Sequence, residues 1–191
     1  NNKEQIDISG KLVVDGIVGI GTTNPTAKLE VNGNLAISGM LKTSNPAFSV
    51  SNATNGNSGP SFSGGAPTVI TYDDVTLNKG NNYSTQYNVF TAPIDGIYTF
   101  TWGAIGNNSS GVYAYYPYKN NEHLATNDVR NIQLRIDTTA SGSNYGNGEK
   151  TIVVSLLEND TFGIRFVSSG GGARDYGHTY TYFQGYLISY T

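Results

Sequence analysis

Residues 96–104, GIYTFTWGA, alternate without a break. Tyr98, Phe100, Trp102 and Ala104 fall on one side, and Ile97, Thr99, Thr101 and Gly103 on the other. A period of two is how a strand with one face in a core reads, and a helix would scatter the same set around its axis. The preceding APIDG, residues 92–96, supplies a turn, because Pro93 presets its own φ and Gly96 can take a positive one. The expectation is an antiparallel pair, one strand ending at Phe90 and the next starting at Ile97, anchored by the chain's single Trp.

The rest of the chain continues in this pattern, with candidate strands at residues 112–118, 130–136, 150–157, 161–167 and 178–190. Glu158-Asn159-Asp160 reads as a tight hairpin, after which Phe162, Ile164 and Phe166 face inward, as Ile132, Leu134 and Ile136 do earlier. With 24 Gly, 14 Tyr, only 13% charged residues and no helical period, the fold class is all-β. The 191 residues admit one domain, or one with an appendage. A net charge of -3 without a Lys/Arg cluster argues against nucleic acid as a partner. Membrane insertion is not expected, because no apolar run approaches the ~20 residues of a spanning helix. Zero Cys excludes disulfides and thiolate metal sites but leaves the compartment open. The start at Asn1, not Met, leads to the expectation that this is the C-terminal part of a longer protein.

Ahead of these strands lie two more alternating runs. Ile6, Ile8, Leu12, Val14, Val18 and Ile20 share even numbers; after GTTNPTA the phase switches to Leu29, Val31, Leu35, Ile37 and Leu41. ISGKLVVDGIV (residues 8–18) and VNGNLAISGML (31–41) align at their Gly and Leu positions, an internal repeat of 23 residues. Two isolated strands are marginal in water, so the apolar faces need a partner. It is either the rest of this chain or the same segment of other chains, wound into an intertwined stalk.

Two resemblances give these segments a context. FTAPIDGIYTFTW, PAFSV at residues 46–50 and TYFQGYLISY at 181–190 resemble, in order and spacing, the globular head of complement component one-q, a domain similar in fold to tumour necrosis factor. The resemblance covers residues 46–191 and implies a ten-stranded jelly-roll sandwich that trimerises and binds without catalysing. Some such heads hold calcium near the trimer axis, but no ligand set maps onto residues of this chain. VGIGTTNPTAKLEVNGNLAISG, residues 18–39, resembles a repeat of bacteriophage tail fibres and some bacterial surface proteins. The expected organisation is a fibrous β-stalk over residues 1–45 and a head over 46–191.

The last strand places Tyr180, Tyr182, Tyr186, Ile188 and Tyr190 on one side and Phe183, Gly185 and Leu187 on the other. A lone sandwich needs one apolar face, so the second points to a neighbouring subunit. Tyr113 and Tyr115, with Tyr116 and Tyr118 opposite, repeat the pattern. Expected homotrimer contacts are Leu29, Val31, Leu35 and Ile37 in the stalk and Tyr180, Tyr182 and Tyr186 in the head.

Catalytic patterns are missing. His123 and His178 are far apart and lack ligand spacing, Gly170-Gly171-Gly172 precedes no helix, and Asp73-Asp74 and Glu158/Asp160 read as solvated charges. Residues 51–67 read as a polar Gly/Ser/Asn loop, and function is expected in the polar loops at residues 104–111, 138–149 and 168–178, whose Tyr, Asn, Ser and Gly combine adaptable hydrogen bonds with aromatic faces. Tyr145, Arg174, Asp175, Tyr176 and His178 are the candidate receptor contacts. The functional expectation is a virion tail-fibre tip that joins upstream fibre or tail proteins and attaches to a host-surface glycan or protein. A bacterial or spore-surface adhesin is the alternative, and a polysaccharide depolymerase the third reading.

Overall fold

The structure, a computed structural model, describes residues 8–40, 43–53, 61–62, 67–107, 112–124, 133–137, 145–168, 173–175 and 178–190. Among them every regular element is a strand, and the chain divides into two compact units, Asn1–Thr43 and Ser44–Thr191.

In the first unit, β1 (Val18–Ile20) pairs in parallel with β2 (Leu29–Val31). The loop between them is closed by its own motif: the Glu30 carboxylate accepts from the Thr26 amide at 2.7 Å and the Thr26 hydroxyl at 2.9 Å, bonds that hold its pKa below the usual carboxylate value. The Gly21 backbone, at φ +73°, lies so close to Asn32 that a Cβ would fall 2.7 Å from the Asn32 carbonyl oxygen. The two long strands expected over this unit are therefore corrected to one three-residue ladder. Backbone hydrogen bonding explains the difference, since among the described residues the alternating flanks find no second strand within one chain.

The second unit is a sandwich whose strands begin with β3 (Ala47–Asn52), β4 (Ser61–Phe62), β5 (Thr68–Val69), β6 (Asp74–Lys79), β7 (Tyr83–Ser84) and β8 (Val89–Thr91). They continue with β9 (Gly96–Asn107), β10 (Val112–Lys119), β11 (Glu122–His123), β12 (Leu134–Asp137), β13 (Tyr145–Leu156), β14 (Thr161–Ser168), β15 (Ala173–Asp175) and β16 (His178–Tyr190). One sheet runs β11-β10-β14-β8-β7, with β12 beside β10 and β5 beside β14. The other runs β4-β15-β9-β16-β3-β6, with β13 on the free side of β9. All pairings in both sheets are antiparallel.

The alternation at residues 98–104 does what its period requires: Tyr98, Phe100 and Trp102 are fully buried and Ala104 nearly so. Phe162, Ile164 and Phe166 meet them from β14, Leu134 and Ile136 from β12, and Phe183 and Leu187 from β16. Phe48 stacks on Tyr83 and Phe90, with centroids 5.1 and 5.2 Å away, and takes the edge of Phe183 at 4.7 Å.

Both expected hairpins are corrected. β8 and β9 belong to different sheets, and so do β13 and β14, so residues 92–95 and 157–160 carry the chain across the sandwich. The two crossings clip together: Ala92 N–H donates to the Asp160 carbonyl and Asn159 N–H to the Ala92 carbonyl, both at 2.8 Å, and Glu158 N–H donates to Asp95 Oδ1 at 2.6 Å. Strands whose inner faces oppose one another cannot also share a ladder, and here burial of both aromatic faces against each other decided the geometry.

Four expected loops also prove partly regular. β9 continues to Asn107, β13 starts at Tyr145, and β4 and β15 fall inside the stretches 51–67 and 168–178. Glycine and asparagine carry the same backbone donors and acceptors as other residues, so the long β9–β13 ladder extends through Gly106, Gly146 and Gly148. Gly170-Gly171-Gly172 and Ile132 lie outside the described residues.

Candidate functional site

Strands β13, β9, β16 and β3 present a continuous outer face, and their register orders it in rows. Glu149, Gly103, Tyr182 and Ser51 form one row, Thr151, Thr101, Gln184 and Ser49 the next, and Val153, Thr99, Tyr186 and Ala47 a third. Because directly paired residues share a face, the inward set Phe183 and Leu187 forces Tyr182 and Tyr186 outward. Tyr182 lies on bare backbone: a Cβ on Gly103 would meet its ring at 2.6 Å. Its hydroxyl donates to Glu149 Oε2. Burial first, then the hydrogen bond and charge of Glu149, push the Tyr182 phenol up to about 12. Thr101 and Thr151 join through their hydroxyls at 2.8 Å.

Beside this row Ile105, Asn147, Glu149, Tyr180 and Tyr182 line a cleft of about 400 Å³. Around it Tyr180, Tyr186, Ile188 and Val153 are about half exposed or more. For a single subunit this is an aromatic and aliphatic surface in contact with water, the second apolar face that the last strand foretold. One member is corrected. A register shift between Leu187 and Ser189 puts Ser189, not Tyr190, in register with the outward Ile97, so Tyr190 leaves the phase of Tyr186.

The candidate receptor contacts gather at one end of the same sheet, as far as backbone register describes them. Tyr145 of β13 and Arg174 of β15 are paired with Asn107 from its two sides, and Asp175 is paired with Gly106. This end lies far from where the head begins. Ala47 is level with Tyr186 and Thr99, and Asn107 stands eight residues further along β9, about 27 Å at the rise of an antiparallel strand. His178 does not join the group; it pairs with Asn52 of β3. Tyr176 lies outside the described residues. Among the stalk contacts, Leu29, Leu35 and Ile37 are exposed, and Val31 is half-buried.

Sequence reasoning misjudged Asp160. It is 9% exposed, bonded to Lys119 Nζ at 2.7 Å, Asn120 Nδ2 at 2.6 Å and the Leu157 amide at 2.7 Å. Burial raises its pKa, but the hydrogen bonds from Lys119, Asn120 and Leu157 and the Lys119 charge outweigh that and bring it to about 2. This is a structural clamp on the crossing at residues 157–160, and the distant Lys119-Asn120 pair that makes it has no local sequence signal. Asp73 and Asp74 stay exposed, as expected of solvated charges, while accepting from the Ala53 amide at 2.8 Å and the Ser51 hydroxyl at 3.2 Å. Among the described residues no group of three or more His, Asp or Glu gathers, so no side-chain cluster there is assigned to calcium.

Residues 47–188 match the family model described as C1q domain. Among solved structures, the chain is similar to the globular domain of zebrafish complement 1qA protein, with a TM-score of 0.55 and 20% identity over 77% of this chain and 99% of that one. Murine APRIL, crystallised at pH 5.0, is similar with a TM-score of 0.53 and 12% identity, over 75% of this chain and 99% of its own. At such identities the likeness speaks for the fold, an antiparallel jelly roll.

Proposed function

We propose, from the premise that this chain belongs to the C1q domain family, that it is the tip of a virion tail fibre: a homotrimer whose heads attach to the host surface and whose N-terminal segments wind into a shared stalk. The observation that carries this reading is the state of the first unit. Its large apolar side chains Ile8, Leu12, Val13, Val14, Ile17, Ile20, Leu29, Leu35, Ile37 and Met40 are all exposed in one chain, at 47% or more. A surface of that kind calls for a partner, and identical chains supply one that repeats the same spacing. Domains of this family form homotrimers and bind ligands, consistent with the exposed tyrosine face of β16 as the head's own contact. Attachment is assigned to the Tyr145–Asn107–Arg174 end because it stands farthest along β9 from Ala47, where a stalk would lead in. Binding, not catalysis, is the activity proposed.

Light scattering tests the assembly, with three times the 20.4 kDa chain mass expected and a single-chain mass overturning it. An adsorption competition tests the role: excess purified protein should block infection by the virus that encodes it. Undiminished infection overturns the tail-fibre reading.

A further inference from the structure

The first sheet carries a groove on its outer face, the side of the sandwich away from Tyr182 and Tyr186. With Phe162, Ile164 and Phe166 buried, strand β14 turns Thr161, Gly163 and Arg165 outward to form its floor. Gly163 keeps that floor low; a Cβ there would lie 3.0 Å from Val89 Cγ1 and 3.1 Å from the Asn88 carbonyl oxygen. The groove encloses about 220 Å³, and among the described residues Arg165 is the one charged side chain lining it.

Arg165 is held between two neighbours. Its guanidinium carbon sits 4.3 Å from the centre of the Tyr118 ring, and one of its nitrogens donates to Asn121 Oδ1. Among the described residues no carboxylate stands within ion-pair distance of it; the ion pair found there is Lys119 with Asp160. A guanidinium stacked on an aromatic face and fixed by an amide keeps its planar fork of donors aligned, the geometry that grips a carboxylate with two parallel bonds. Tyr87, 66% exposed, stands at the rim and Val89 in the wall, so an aromatic and an aliphatic surface accompany the charge.

We propose that this groove binds one carboxylate-bearing sugar unit, a uronate, of an acidic surface polysaccharide. The inference rests on the attachment reading above and adds to it a second contact, on the other sheet from the Tyr145–Asn107–Arg174 end, with a named ligand class. The carboxylate goes to Arg165, ring hydroxyls to Asn121 and Thr161, and the C–H face of the sugar to Tyr87 and Val89. The volume lies below the ~300 Å³ at which pockets begin to enclose drug-sized ligands, which favours a single ring over a buried oligomer. The chain's net charge of -3 gives no general attraction for a polyanion, so selectivity falls to the one cationic fork. Assembly through the β16 face leaves the groove open, once per subunit, and repetition multiplies a weak contact.

The test is calorimetric titration of the assembled chain with a hyaluronan tetrasaccharide, a neutral chitin tetrasaccharide and inorganic sulfate. The uronate oligomer should bind, more weakly at high salt, and the neutral one should not. Arg165→Gln should weaken binding by about tenfold or more, the scale of one charged forked contact, and Arg165→Lys should restore little of it. Should Arg165→Gln not fold, Tyr87→Ala, altering an exposed rim residue, should still weaken binding several-fold. Equal binding by the variants, equal binding of the neutral oligomer, or sulfate binding as tightly as the uronate overturns the proposal. Failed adsorption competition with uronate binding intact overturns the attachment reading alone; intact competition with no uronate binding overturns the groove alone.

Discussion

Phe100 of β9 and Phe162 of β14 stack face to face across the sandwich, their centroids 4.0 Å apart and their planes 6° from parallel. Neither strand is hydrogen-bonded to the other, so the two rings are where the sheets grip. Phe162→Ala should cost about 3–5 kcal/mol, the usual penalty for deleting a fully buried phenylalanine, whereas Phe162→Leu should lose clearly less. Denaturant midpoints of the head measure both. Near-equal stability of wild type and Phe162→Ala would mean that the sheets are held elsewhere.

The clamp on Asp160 makes an acid limb. Its folded pKa of about 2 lies below the 3.8 of an ordinary aspartate, so its stabilisation is complete above pH ~4 and disappears as pH falls towards 2. The displacement corresponds to about 2 kcal/mol. Asp160→Asn should therefore melt below wild type at neutral pH, and the gap should close between pH ~4 and ~2. A gap that persists unchanged to pH 2 would remove the charge from the explanation.

Leu35 is 62% exposed in one chain. If the first units of three chains meet around an axis, Leu35→Asp brings three unpaired carboxylates into an apolar seam, a penalty of about several kcal/mol even for one. The trimer mass should fall or the stalk should melt early, while the head keeps its own transition. Unchanged mass and melting would show that this face looks into water.

At the far end of the second sheet, changing Arg174, Asp175 and Tyr176 together to Ala should reduce cell binding by the assembled protein with the melting temperature unchanged. Tyr145→Ala, on the other side of Asn107, should act in the same direction. Undiminished binding by the triple variant relocates the contact.

What the sequence by itself determined was which side of each strand is apolar. The alternation of Tyr98, Phe100 and Trp102, of Phe162, Ile164 and Phe166, and of Phe183 and Leu187 appears unchanged as the buried set, because side-chain direction along a strand is a local property of the backbone. The APIDG, PAFSV and TYFQGYLISY segments also pointed to the family that residues 47–188 match. Pairing was decided only in three dimensions. Turns at residues 92–95 and 157–160 looked like hairpins, yet burying two aromatic faces against each other sent the flanking strands to opposite sheets. The same holds for the meeting of Arg165 with Tyr118 and Asn121, for the Lys119–Asp160 clamp, and for Tyr145 and Arg174 flanking Asn107. Each joins residues tens of positions apart in the chain, and the register of non-local ladders, which no short window of sequence encodes, sets their distance.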